Sequence, residues 1–216
     1  MDLPEIVDLI IYFTENPVSE LSLVSKYWNE NVKKIRITSN KDYPNMEDNH
    51  LLLFPNLTEL DLSIDFKAVL ATFNENFKSN NFDPENVKLP KLNISKLYFG
   101  NLSNLKSLNL SYNFSITGLS KLTNLTELTL EGNNAISNDG ISTLTNLTFL
   151  NLNGCLHVRE ISMLTNLTFL NLSHKEDIST DNIWGQLPKL SSYVSSNGEH
   201  IVRKKRYYIS NIISSK

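Results

Sequence analysis

Leucine recurs along much of this chain at an interval too long for a helix or a single strand. The stretch LTNLTFLNL occupies 144–152 and again 164–172, and a looser copy, LTNLTELTL, occupies 122–130. Each copy contains L-x-x-L-x-L. Anchored on its first leucine, the pattern begins at Leu57, Leu105, Leu125, Leu147 and Leu167, with a weaker start at Leu190. From Leu105 onward the starts lie 20, 22, 20 and 23 residues apart. In x-L-x-L-x the leucines turn to one face of a short strand and the x residues to the other. The pattern predicts strands within 107–111, 127–131, 149–153 and 169–173. One such strand cannot bury its leucines alone, but stacking coil on coil about 4.8 Å apart joins them into one core.

A second set of apolar residues follows each strand: Ile116, Leu119, Leu122; Ile136, Ile141, Leu144; Val158, Ile161, Leu164. Repeats this short leave no room for a full helix on the return limb, so 3₁₀ turns or extended segments are expected. Asn138-Asp139-Gly140 supplies a turn that lengthens one coil. Three residues after the second strand leucine stand Asn113, Asn133 and Cys155. The whole unit, L-x-x-L-x-L-x-x-N/C, resembles the leucine-rich repeat. The resemblance implies an α/β fold: a curved parallel sheet with short convex turns. Asn and Cys at that position bond backbone groups of adjacent coils, which makes Cys155 a ladder residue. Lys175 holds the equivalent place and is expected to break the ladder as the array nears its end.

Upstream the pattern is looser. Val32, Ile35, Ile37 and Asn40 match it. Phe66, Val69, Leu70, Phe73 and Phe77 follow helical spacing and predict an amphipathic helix inserted near 65–80. Leu89, Leu92, Ile94 and Leu97 suggest a degenerate coil. The expected organisation is a helical segment at 1–31, a solenoid at 32–200 and a basic cap or tail at 201–216.

The first thirty residues differ. Ile6, Leu9, Ile10 and Phe13 share one helical face, with Asp2 and Glu5 placed for a capping box. Asn16-Pro17 reads as an N-cap and first helical position, opening a second helix with Leu21, Val24 and Trp28. Leu3-Pro4-Glu5, Ile6, Ile10, Phe13, the Pro17 turn, Leu21 and Val24-Ser25-Lys26-x-Trp28 resemble an F-box. The first helix is compressed, and strand-like spacing resumes four residues after Trp28. The order F-box then repeats is that of the F-box/leucine-rich-repeat proteins. That resemblance implies a substrate-recognition subunit of an SCF-type ubiquitin ligase. Leu3, Pro4, Ile6, Ile10, Phe13, Leu21, Val24 and Trp28 would then dock on a Skp1-like adaptor, which connects to a cullin complex. The other reading is an interaction scaffold whose N-terminal helices only cap the solenoid core.

The x residues of the strands should line the concave face. Phe149 and Phe169 hold the same place in adjacent coils, so their rings should lie about 5 Å apart. With Asn151, Asn171, Glu127 and Glu131 they are the candidate target-binding residues, an aromatic anchor ringed by polar groups.

Composition adds little chemistry. Net charge is −3 and only one cysteine is present. That balance predicts no general attraction to nucleic acid or membrane, and a reducing compartment. The N-terminus MDLPEIVDL lacks signal-peptide character. A cytoplasmic location is expected, with Arg203–Tyr208 (RKKRYY) as a candidate nuclear-import run. The many Asn-x-Ser/Thr triplets then arise from the repeat and are not glycan sites. The four histidines show no metal-ligand spacing with each other or with Cys155, and no phosphate-binding glycine loop occurs. Catalysis, cofactors and metals are not expected.

Overall fold

The structure, a computed structural model, describes residues 34–36, 56–64, 67 and 102–203. The adaptor-like segment at 1–31, the helix expected near 65–80 and the tail from 204 lie outside the described residues.

Eight short strands form one sheet in chain order: β1 (Lys34–Arg36), β2 (Glu59–Asp61), β3 (Ser107–Asn109), β4 (Glu127–Thr129), β5 (Phe149–Asn151), β6 (Phe169–Asn171), β7 (Ser192–Val194) and β8 (His200–Val202). β1 to β7 pair in parallel, and β8 folds back antiparallel on β7. The middle residue of each strand from β2 to β6 is leucine, and these leucines stand in register: Leu60, Leu108, Leu128, Leu150 and Leu170. The anchor leucines, the second strand leucines and the return-limb residues close the same core, all buried. Each buried leucine contributes about 1.5–3 kcal/mol. This is a leucine-rich-repeat array, with strand positions as the spacing predicts.

The return limbs are as short as the repeat length demands. Leu119–Lys121 is a single 3₁₀ turn, while Asn138–Ile141 and Ile183–Gln186 are single α-turns. β2 bonds directly to β3, for example through Lys106 N–H to Thr58 O at 2.8 Å. The degenerate coil expected around Leu89–Leu97 lies outside the described residues.

Each polar position in LTNLTFLNL has a structural use. Leu-Thr-Asn-Leu is a turn closed by Leu147 N–H to Leu144 O and Leu167 N–H to Leu164 O. Its asparagine reaches back one coil: Asn124 Nδ2 bonds Ser103 O, Asn146 bonds Thr123 O and Asn166 bonds Thr145 O, at 2.7–2.9 Å. The next threonine does the same through its hydroxyl, Thr126 to Lys106 O, Thr148 to Thr126 O and Thr168 to Thr148 O. The strand asparagine closes the exit turn, as Asn171 Oδ1 accepts from Ser173 N–H at 2.9 Å.

The interior ladder is the costliest to satisfy, because it is buried. Asn113 Nδ2 donates to Leu62 O at 2.9 Å. Asn133 Nδ2 donates to Leu110 O and Asn113 O, and its Oδ1 accepts from Ala135 and Ile136 N–H. Lys175 does not break this ladder. Its side chain is 1% exposed, and Nζ donates to Cys155 O at 2.6 Å. The charge is met by Asp177 Oδ1 at 2.8 Å, and Asp177 also pairs with Arg159 at 3.0 Å. A buried ammonium is tolerable when a carboxylate and a carbonyl both hold it. The array ends one coil later, where Tyr193 and Ser195 stand at the two strand-leucine positions. There Trp184 packs edge-on to Tyr193 at 5.4 Å, and the Arg203 guanidinium lies 5.5 Å from the Trp184 ring centre.

One backbone requirement recurs two residues after Leu110, Leu130, Leu152 and Leu172. Tyr112, Gly132, Gly154 and His174 all have φ between 55° and 62°. Glycine adopts this left-handed conformation freely; tyrosine and histidine do so at a cost. A side chain at Gly132 would also overlap the Tyr112 ring packed over it.

Two stability measurements follow from these ladders. Asn133→Ala leaves the Ala135 and Ile136 N–H groups and Asn113 O without partners, so urea unfolding should register a loss of about 2–4 kcal/mol. Asn166→Ala, an exposed rung, should lose less than about 1 kcal/mol; equal losses would show that burial does not weight the ladder. His174 is exposed, and His174→Gly should raise stability by about 0.5–1 kcal/mol by relieving the left-handed backbone.

Candidate functional site

Strand alternation leaves the x residues on the open face of the sheet, opposite the leucine core. Across β4, β5 and β6 the register aligns Glu127, Phe149 and Phe169 in one row and Thr129, Asn151 and Asn171 in the next. The Phe149 and Phe169 ring centres are 5.1 Å apart and the rings are inclined by 9°, a parallel stack. Both are half-buried. Five of the six candidate target-binding residues thus share one contiguous patch. The sixth, Glu131, sits just beyond β4.

Two of these residues also have work within the fold. Asn151 Oδ1 accepts from Asn153 N–H at 3.0 Å, and Asn171 Oδ1 accepts from the N–H and hydroxyl of Ser173. Their side chains are held in place by these turns. Asn171 Oδ1 already accepts two hydrogen bonds and Asn151 Oδ1 one, so both leave Nδ2, a donor, for a partner, and Asn151 keeps one acceptor position.

The patch continues toward the C-terminal end through residues that spacing alone did not single out. His200 lies 6.3 Å from Phe169, tilted by 47°. Val202 on β8 is 60% exposed. β8 reverses direction after a turn at 195–199, and no leucine pattern marks a reversal. The antiparallel pairing of His200 with Val194 and of Val202 with Ser192 places both residues on the open face.

The acids of the face differ in their surroundings. Glu59 and Asp61 stand in register with Lys34 and Arg36 of β1. Glu131 accepts the Tyr112 hydroxyl at 2.9 Å. Glu127 has Ser107 on one side and Phe149 on the other. Tyr112 is pushed up to about 12, first by burial and then by its bond to Glu131 and that carboxylate's charge. The Cys155 thiol is buried and is also pushed up, burial outweighing the N–H groups of Val158 and His157 and the nearby Lys175 charge. It is therefore held as an unreactive thiol. Among the described residues no group of three His, Cys, Asp or Glu is placed to hold a metal ion, and no helix is long and apolar enough to cross a membrane. The face is suited to contact by another molecule.

The Tyr112 shift carries a pH signature. The folded value lies above the unfolded value near 10, so the stabilisation is fully present below pH 10 and is lost as pH rises toward 12. Denaturant midpoints from pH 8 to 12 should fall less steeply for Tyr112→Phe than for the native chain. Parallel curves would dismiss the Tyr112–Glu131 linkage.

No family model and no curated protein matches the chain. Similar solved structures include the functional domain of InlJ from Listeria monocytogenes, at 20% identity over 74% of this chain and 32% of that one, TM-score 0.42. Internalin C2 from the same organism is 23% identical over 74% of this chain and 66% of its own, TM-score 0.41. The leucine-rich-repeat protein LIC12759 of Leptospira interrogans is 25% identical over 72% of this chain and 40% of its own, TM-score 0.41. The chain thus spans from about a third to just under two thirds of these proteins' lengths. What makes it a leucine-rich-repeat array is its own geometry: seven parallel strands in chain order, leucines in register and polar ladders between coils.

Proposed function

We propose that this chain recognises target proteins for an SCF-type ubiquitin ligase, working in the cytoplasm or nucleus. Residues 1–31 would hold a Skp1-like adaptor and its cullin complex, while the open face of the array would hold the target. One observation carries the reading: an F-box-like run, Leu3-Pro4-Glu5 through Val24-Ser25-Lys26-x-Trp28, precedes an array whose open face bears an aromatic pair. The chain needs no chemistry of its own for this role. Bridging raises the effective concentration of target lysines near the charged ubiquitin carrier, and proximity supplies the rate.

A second reading has a specific motive. A repeat array must close the open end of its core, and the apolar segment that precedes β1 in sequence, read as helical from its spacing, would do so. The protein would then be an interaction scaffold without a ligase link. Binding to purified Skp1 separates the two. The full chain should bind, and Leu3→Ala/Pro4→Ala should reduce binding at least about tenfold while leaving the thermal transition of the array in place. Absence of binding by the native chain would favour the scaffold.

A further inference from the structure

The open face has a charge asymmetry that the aromatic pair makes specific. No lysine or arginine occupies an open-face strand position from β2 to β8. Lys106, Lys121, Arg159, Lys175, Lys189 and Arg203 all fall outside the strands. The acids at the start of the face have β1 cations across from them, and Glu131 holds Tyr112. Glu127 is different. It is exposed, and among the described residues its strand neighbours are Ser107 and Phe149.

Phe149 is stacked on Phe169 with nearly parallel rings, so one of its π-faces is taken and the other turns toward β4. On β4 the in-register residue is Glu127. Glu127 and Phe149 are thus direct neighbours on adjacent strands, which lie about 4.8 Å apart. An aromatic face is the negative part of its quadrupole, and a cation placed over it is attracted. A guanidinium is planar, lies flat on such a ring, and can offer its N–H groups to a carboxylate at the ring's edge. Asn151 and Asn171 both present Nδ2 donors, which suit the backbone carbonyls of an incoming segment.

We infer that the Glu127–Phe149 step is a subsite for an arginine side chain of a partner protein, with Phe169 carrying the apolar contact beyond it. This rests on the open face being the partner-binding surface and adds the chemistry of what it takes. It does not depend on the ligase link.

The test is a titration of the full chain, followed by amide NMR, with two probes: acetyl-Ala-Arg-Ala-amide and its citrulline counterpart, which keeps the shape and lacks the charge. The arginine peptide should shift the amides of 127–129 and 149–151, and the citrulline peptide should bind at least about fivefold more weakly. Glu127→Gln and Phe149→Leu, both conservative, should each remove that preference while amides elsewhere keep their native positions. Equal shifts from both probes would overturn the inference and leave the face as a neutral docking surface. Shifts confined to other regions, or none, would overturn it together with the assignment of this face to partners. Skp1 binding, which reads residues 1–31, would be untouched by either result.

Discussion

Stacking coil on coil forces each coil to answer the backbone of the one before it. Carbonyls at the strand exits point into a dry interior, and water cannot reach them. A donor at one fixed place meets them, and Asn113, Asn133 and Lys175 each carry one. Asn113 and Asn133 provide it with an amide, which donates backward and accepts from its own turn at once. Lys175 provides only donors, so the acceptor has to come from Asp177, two residues on. The leucines drive collapse, but this rung determines whether collapse leaves anything unpaired.

That division explains what could be read from the chain and what could not. Leucine spacing is a local pattern with a fixed period, so the strands, their order and the Phe149–Phe169 stack were all legible. Lys175 was misread because a charged residue at a buried position looks like an interruption. Its compensation by Asp177 and Arg159 depends on the neighbouring coil. The direct β2–β3 pairing was hidden because the apolar spacing at Leu89, Leu92, Ile94 and Leu97 reads like that of a further coil. The left-handed backbone at Tyr112 and His174 was also invisible. Two of its four positions carry glycine, and the other two carry residues that disfavour that conformation.

The same ladders set the precision of the open face. Asn151 and Asn171 are oriented by their turn bonds, and the two phenylalanines are oriented by each other. A strand that slipped by one residue would bury its x side chains and expose its leucines. The leucine register therefore enforces the register of the open-face row, and the patch is ordered before anything touches it. Preorganisation of this kind lowers the entropy lost on association.

An array of this type is also close to one-dimensional: a coil touches its two neighbours and little else. An open-face substitution at Glu127 or Phe149 perturbs one rung and is felt by the adjacent strands, while the leucines behind it keep their packing. The interior rungs behave in the opposite way, because Asn133 bonds its own turn and two carbonyls of the coil before it. Specificity can thus change on one side of the sheet without renegotiating the fold on the other. That separation follows from strand alternation, which sends alternate residues to the open face and to the core.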